Sequence, residues 1–250
     1  MISERFIRTA MLIGEDSVEK LNNCNVLVFG VGGVGGYVVE ALARAGVGSF
    51  TVVDNDVVAL SNINRQIIAT SETVGRDKTE VIKERIFSIN PEAKVDARKC
   101  FFMPENADEF DFSAYDYVID AVDTVTAKIK IVEKAVQANV KVISSMGTGN
   151  KTEPSLFKIS DISKTSVCSL AKVMRRELRN RGIKHLKVLY STEKAHTPLF
   201  QPEVDLSEND DCSVKNEKKR RKQTPASISF CPSVAGLLIA SEVLKDMLEL

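Results

Sequence analysis

No apolar run in this chain approaches the roughly 18 to 20 residues that a membrane-spanning helix needs, so it offers no candidate span. Residues 1–8 carry charge where a secretory signal would have its apolar stretch, and the expected location is the cytoplasm. The five cysteines, Cys24, Cys100, Cys168, Cys212 and Cys231, include no Cys-x-x-Cys pair, which excludes a zinc ribbon and gives no disulfide framework. Histidine is scarce too: His185 and His196 have no partners at ligand spacing, so no imidazole metal site is read here. No internal repeat is evident, and there is no net charge.

That zero hides an asymmetry. Residues 1–150 carry 16 Lys+Arg against 21 Asp+Glu, a net of −5, and residues 151–250 carry 18 against 13, a net of +5. An acidic front half beside a basic back half points to a polyanion meeting the second part, with a nucleic acid as the candidate. With 250 residues, 44% hydrophobic and 27% charged, the chain has enough apolar material for one large α/β domain over residues 1–250.

Residues 25–30 (NVLVFG) form a short apolar run ending at glycine, which reads as a strand buried on both faces of a parallel sheet. A helix over 37–45 and a strand over 49–54 complete a βαβ unit. The alternation continues with a helix over 77–89 stopped by Asn90-Pro91, a strand over 94–97, a strand over 117–122, a helix over 125–138 and a strand over 141–145. This rhythm predicts a doubly wound, Rossmann-like, mostly parallel sheet. Beyond residue 150 it gives way to a strand over 156–159, a basic helix over 169–180, a strand over 186–190 and a C-terminal helix over 234–248, with Pro232 near its start. Residues 193–225, charged and poor in apolar side chains, are expected to be a mobile loop; they include the run Lys218, Lys219, Arg220, Arg221, Lys222. Phe101, Phe102 and Phe110 read as core.

The chemistry starts at Gly30-Val31-Gly32-Gly33-Val34-Gly35-Gly36, a Gly-x-Gly-x-x-Gly spacing directly after a strand and before a helix. There the backbone can approach a phosphate chain and the helix N-terminus offers free N–H groups to it. Asp54 ends the second strand, where an acid accepts hydrogen bonds from ribose hydroxyls. Up to this point a nicotinamide-dependent oxidoreductase fits equally well. The polar loop from Asp56 through Ser61, Asn62, Arg65 and Gln66, followed by Lys78 at the start of the next helix, separates the two. Hydride transfer has no need of an arginine and a lysine at the phosphates, whereas attack on an α-phosphate needs cations to counter developing charge. Asp120 and Asp123 stand at the C-terminal end of a strand, and a carboxylate there could hold Mg²⁺. Taken singly, Arg65 reads equally as a surface cation, Lys78 as an exposed helix charge, and Asp123 as the N-cap of the helix that follows.

In order, GVGGVGG, VVDNDVV, SNINRQ, VGRDK and DAVDTVTAK resemble the ATP-site motifs of the ubiquitin-activating-like adenylyltransferase superfamily, over roughly residues 4–150. The resemblance implies ATP and Mg²⁺, with Gly30, Gly32 and Gly33 at the phosphates, Asp54 on the ribose, and Asp56, Ser61, Asn62, Arg65 and Gln66 around the nucleotide. It implies Lys78 on phosphate, and Asp123 with Thr124 where Mg²⁺ and phosphates are organised. Residues 1–22 look like the family's N-terminal arm, whose Arg8 would reach the partner's ATP site in a homodimer; residues 23–150 would be the nucleotide-binding core.

Sulfur-carrier adenylyltransferases of this superfamily usually carry two Cys-x-x-Cys pairs, absent here. Residues 164–191, KTSVCSLAKVMRRELRNRGIKHLKVLYS, resemble instead the helix-plus-strand insertion of the tRNA threonylcarbamoyladenosine dehydratases. That implies adenylylation of a threonyl carboxylate on tRNA and its closure into a ring, with catalysis by Arg65, Lys78, Asp123 and Arg8. Lys164, Lys172, Arg175, Arg176, Arg179, Arg181, Lys184 and Lys187 oppose a single acid, Glu177, and Lys172, Arg175, Arg176 and Arg179 are the expected grip on the tRNA backbone. Activation of a ubiquitin-like carrier protein and the oxidoreductase remain the alternatives. Open at this stage are a sulfur-relay partner such as a cysteine desulfurase, a covalent role for Cys168, which falls where some relatives place a thiol, and a sulfur-handling role for Cys231.

Overall fold

The computed structural model describes residues 2–201 and 224–250. Two short helices, α1 (Ile7–Ile13) and α2 (Glu15–Asn22), precede β1 (Asn25–Phe29), α3 (Gly35–Ala45), β2 (Ser49–Val53), α4 (Lys78–Ile89) and β3 (Lys94–Arg98). Then follow β4 (Tyr117–Asp120), α5 (Val125–Gln137), β5 (Lys141–Ser145), β6 (Phe157–Asp161), α6 (Ser169–Asn180), β7 (Lys187–Ser191) and α7 (Phe230–Leu248).

Among the described residues the strands form one sheet in the order β3-β2-β1-β4-β5-β7-β6, parallel except for β6, which runs antiparallel to β7. From β1 the chain crosses outward to β2 and β3, and from β4 it crosses the other way to β5, so the direction of winding reverses between β1 and β4. In open α/β sheets that reversal leaves a crevice beyond the C-terminal strand ends, where ligands bind.

The period-two geometry of strands sends alternate side chains to opposite faces. Val26 and Val28 of β1 join Val38, Leu42, Ile82, Ile239 and Val243 in the core that α3, α4 and α7 cover. Leu27 and Phe29 go to the other face and meet Val118, Ile131 and the buried rings of Phe102, Phe110 and Phe112. Phe101, expected in the core, is 49% exposed, whereas Phe102 beside it is buried in the aromatic cluster. The N-terminal arm is anchored by Phe6, Ala10 and Val18, which form their own cluster.

Three expected boundaries move. β4 stops at Asp120, so Asp123 lies in the loop beyond it. Helix α7 starts at Phe230, four residues earlier than expected, with Pro232 as its third residue. Part of the expected mobile loop is tied down: Glu193 is 9% exposed, and Gln201 and Thr224 hydrogen-bond through Thr224 N–H to Gln201 Oε1 at 3.1 Å. The run 218–222 lies outside the described residues.

The far end of α7 is fastened to the N-terminal edge of the sheet through Asp246. Its carboxylate accepts hydrogen bonds from Tyr117 Oη at 2.6 Å and Lys187 Nζ at 2.7 Å, and its carbonyl accepts one from Lys141 Nζ at 2.7 Å. Burial pushes the Asp246 carboxyl up, but the Lys187 and Tyr117 hydrogen bonds outweigh it and hold it below its ordinary value. A depressed folded-state pKa stabilises the protein above the unfolded value and is lost as pH falls through the folded one. Asp246→Asn is therefore expected to cost about 1–2 kcal/mol at neutral pH, and to flatten the loss of stability below about pH 4, both read from urea midpoints measured across pH.

Candidate functional site

The turn after β1 is built by backbone contact. Gly30 has φ +82, and a Cβ there would lie 2.8 Å from the Ala121 carbonyl oxygen; one on Gly35 would lie 1.8 Å from the Gly30 carbonyl oxygen. Both glycines are needed to seat the turn against the loop after β4. Gly32 and Gly33 meet side chains instead: a Cβ on Gly33 would come within 3.2 Å of Pro232 and 3.5 Å of Arg65, and one on Gly32 within 3.6 Å of Gln66. These middle glycines thus lie against Arg65, Gln66 and the start of α7.

Asp54, just past β2, accepts hydrogen bonds from Val31 N–H at 2.8 Å and Asp56 N–H at 2.9 Å, tying the turn to the β2 loop. Asp56 in turn accepts from Lys78 Nζ at 2.8 Å and, through its carbonyl, from Lys78 N–H at 3.0 Å. Lys78 is only 1% exposed, so it is a buried cation held at the head of α4 and not an exposed helix charge. Asn62, also buried, braces its loop by accepting from Ala59 N–H at 3.1 Å. Arg65 Nη1 donates to the Ser61 carbonyl and to Asn64 Oδ1, both at 3.0 Å, which pins the guanidinium, while the Cγ of the same side chain lies 3.5 Å from where a Gly33 Cβ would be. Gln66 is 5% exposed, and its buried Oε1 has no hydrogen-bond partner among the described residues. An orphaned acceptor is rare in a folded protein, and here it lies against the glycine turn, where a nucleotide hydroxyl or amino group could donate to it.

Asp123 is exposed and makes no hydrogen bond or ion pair among the described residues. Thr124 occupies the N-cap of α5 without a side-chain hydrogen bond, so Asp123 does not serve as the cap. Among the described residues no group of three or more His, Cys, Asp or Glu could hold a metal. A single carboxylate plus phosphate oxygens is the pattern that suits Mg²⁺.

Beneath this loop lies an ion pair that the sequence did not disclose. Asp120 and Lys128 are both 0% exposed and pair at 2.9 Å; Lys128 Nζ also donates to the carbonyls of Ser145 at 2.8 Å and Val122 at 3.1 Å. Ser144 Oγ donates to Asp120 at 2.5 Å. One ammonium therefore ties together the ends of β4 and β5 and the residue before Asp123. The available signal was a strand-final acid followed by a lysine in the first turns of the next helix.

A second unforeseen set of contacts fastens the segment that precedes α7. Residues 224–229 run between Asn64, whose Nδ2 donates to the Ser227 carbonyl at 3.1 Å, and Asn150. Asn150, at φ 58, exchanges hydrogen bonds with Ala226 in both directions, each at 2.7 Å. Buried Lys151 donates to the Glu193 carbonyl, and Cys231 Sγ donates to the Lys151 carbonyl at 3.2 Å. Burial pushes the Cys231 thiol up, which makes it a packing residue and a poor nucleophile. Cys168 caps α6, its Sγ accepting from Ala171 N–H at 3.5 Å.

The basic face is smaller than the count of cations implied. Ala171, Met174 and Leu178 bury one side of α6, leaving Lys172, Arg176 and Arg179 exposed. Arg175 is spent internally: Nη1 donates to Thr165 Oγ1 at 2.6 Å, the Thr165 carbonyl at 2.8 Å and the Ile162 carbonyl at 3.1 Å. Lys187 belongs to the Asp246 and Glu242 cluster. Nor does the structure bring Arg8 to the glycine turn of its own chain. It is exposed on α1, and the neighbouring Phe6 packs near Gly46, at the end of α3 away from the turn. The 11 residues of α3 separate those ends by about 16 Å.

Removing the Lys128 ammonium would strand a buried carboxylate. Lys128→Met is expected to destabilise the protein by about 3 kcal/mol, read from urea unfolding, and Lys128→Met with Asp120→Asn should recover part of that loss.

A family model described as ThiF family matches residues 6–250. The chain is 42% identical to tRNA threonylcarbamoyladenosine dehydratase of Bacillus subtilis strain 168 over 248 residues, covering 98% of this chain and 95% of that one. It is 31% identical to the Escherichia coli K12 protein of the same name, over 98% and 94% of the two chains. The crystal structure of the E. coli dehydratase in complex with ATP superposes with a TM-score of 0.85 at 30% identity, covering 100% of this chain and 97% of that one.

Proposed function

The chain belongs to the ThiF family, and from that premise we propose that it is an ATP-dependent tRNA threonylcarbamoyladenosine dehydratase. The observation that carries the reading is the glycine turn at Gly32 and Gly33, flanked by Arg65 and Gln66 at the crevice between β1 and β4, with Lys78 tied to the same turn through Asp56 and Asp54. Backbone N–H groups and a helix N-terminus receive phosphate there, and fixed cations stabilise the charge that develops on it.

In the first step an oxygen of the threonyl carboxylate bonds to the α-phosphorus while the bond to the bridging oxygen breaks and pyrophosphate departs. Arg65, pinned by Ser61 and Asn64, and Lys78, pinned by Asp56, counter the negative charge. Asp54 holds the glycine turn in place through Val31 and is sited to accept from the ribose hydroxyls. Asp123, with Thr124 beside it, would hold Mg²⁺, which supplies charge neutralisation on the phosphates. In the second step an internal nucleophile of the modified adenosine attacks the acyl carbon, AMP leaves with the former carboxylate oxygen, and a proton is released. The chain's part is to exclude water from the acyl-adenylate, a task suited to the 224–229 segment spanning Asn64 and Asn150.

No protein thiol enters this chemistry, so a cysteine desulfurase would be an accessory partner and not a supplier of reactant. Among the described residues no helix is long and apolar enough to cross a membrane, and the reading places the enzyme in the cytoplasm with its tRNA. The position of Arg8, exposed and remote from its own glycine turn, supports a homodimer in which it serves the partner's site.

Pyrophosphate exchange into ATP should be stimulated by tRNA bearing threonylcarbamoyladenosine and not by a ubiquitin-like carrier protein; the reverse response, or tight NAD binding without ATP binding, would sink the reading. Arg65→Ala and Lys78→Ala should each lower that exchange by roughly 10² to 10³, with thermal midpoints recorded beside the rates because Lys78 is buried. Co-expressed Arg8→Ala and Lys78→Ala chains should regain activity that neither possesses alone, since mixed dimers would rebuild one whole site.

A further inference from the structure

Between α5 and α6 runs a groove of about 390 Å³. Val125 and Ile129 line it from α5, Val173 from α6, and Pro104 from the 3₁₀ turn Pro104–Glu109. We propose that this groove receives an unstacked nucleobase of the tRNA, a neighbour of the modified adenosine; the assignment rests on the dehydratase reading above.

Position is the first argument. The α5 wall begins at Val125, two residues after Asp123, so the groove opens at the rim of the candidate phosphate site. Arg181, just past the end of α6, pairs with Glu133 on the later turns of α5 at 3.2 Å, so the groove follows α5 away from that rim. RNA whose modified adenosine presents its threonyl carboxylate to the phosphate site would have a neighbouring base near this end of α5.

Chemistry is the second. Apolar walls suit the face of a base, and Thr126, exposed on the first turn of α5, offers a hydroxyl to a base edge. The acids of the groove are neutralised internally: Arg181 pairs with both Glu133 at 3.2 Å and Glu177 at 3.1 Å, and Arg176 pairs with Glu177 at 2.9 Å. No bare carboxylate is left to repel RNA. Lys172 and Arg179, by contrast, stand exposed on the outward side of α6. Lys130 also lines the groove, and together with Arg181 it balances Glu133 and Glu177, so the groove carries no net charge and suits a neutral, flat group while Lys172 and Arg179 draw phosphates to the outer face. Single-stranded loops present RNA in this way, with bases splayed and the backbone outside.

Thr126 and Val173 lie outside the proposed catalytic set, so the double variant T126M/V173M narrows the groove without altering charge. It should raise KM for tRNA bearing threonylcarbamoyladenosine about tenfold, the order expected for losing one stacked base, while kcat and the calorimetric Kd for ATP stay unchanged. The dependence of tRNA affinity on salt should keep its slope, because no phosphate contact is removed. Should the double variant fold poorly, V173M alone should show the same pattern with a smaller rise. An unchanged KM in variants that fold would overturn the assignment, and so would a slope reduced by about one, which would make the occupant a backbone phosphate. A wild-type enzyme that processes the tRNA beside indifferent variants refutes the groove alone; one that answers only to a carrier protein refutes the dehydratase reading and the groove with it.

Discussion

Everything at the site depends on two stretches of backbone lying in contact. The turn after β1 touches the loop after β4 because Gly30 and Gly35 have no side chains, and no larger residue fits between Gly30 and Ala121. This contact spans the sheet at the place where the winding reverses. It sets the distance between the glycine turn, with its N–H groups, and Asp123, with its carboxylate. Arg65 and Lys78 then approach from the loop after β2, which Asp54 fastens to the same turn through Val31.

The cations at this crevice are of two kinds, and their surroundings decide their work. Arg65 is partly open, held by neutral oxygens, and keeps its charge available. Lys78 and Lys128 are taken out of water and each is matched to a carboxylate. Burying an ion is costly unless a partner and further hydrogen bonds replace its hydration. Lys128 receives this from Asp120 and two carbonyls, and in return it holds two strand ends still. Rigidity under Asp123 is what a side chain without partners of its own requires if it is to point at a ligand.

Most of the parallel sheet was legible in the sequence because strands buried on both faces read as apolar runs, and β5 and α6 fall on their expected residues. The gathering of Asp54, Arg65 and Lys78 around the glycine turn was legible for a different reason: they are close in sequence to elements whose direction is easy to assign. What escaped notice depends on contacts between distant parts of the chain. Arg175 has the helical spacing of a free basic residue, and only the fold shows Thr165 occupying its guanidinium. The Asn64–Ser227 and Asn150–Ala226 bonds join segments separated by 163 and 76 positions. No local pattern announces such partners. Phe101 and Phe102 look alike in the sequence, and only the packing of Phe102 with Phe29 and Phe110 tells the buried ring from the exposed one.

The seat of Pro232 against Gly33 has a consequence for biosynthesis. A ribosome makes the glycine turn long before the wall opposite it, since Gly33 follows β1 and Pro232 belongs to α7. The nascent nucleotide site therefore stays one-sided until then, and α3 waits with its apolar face unclothed for the helix that covers it. Domains that complete their core by such long-range closure fold slowly and expose sticky surface meanwhile, so emergence of α7, more than the glycine motif itself, is what makes the newborn polypeptide able to hold a nucleotide.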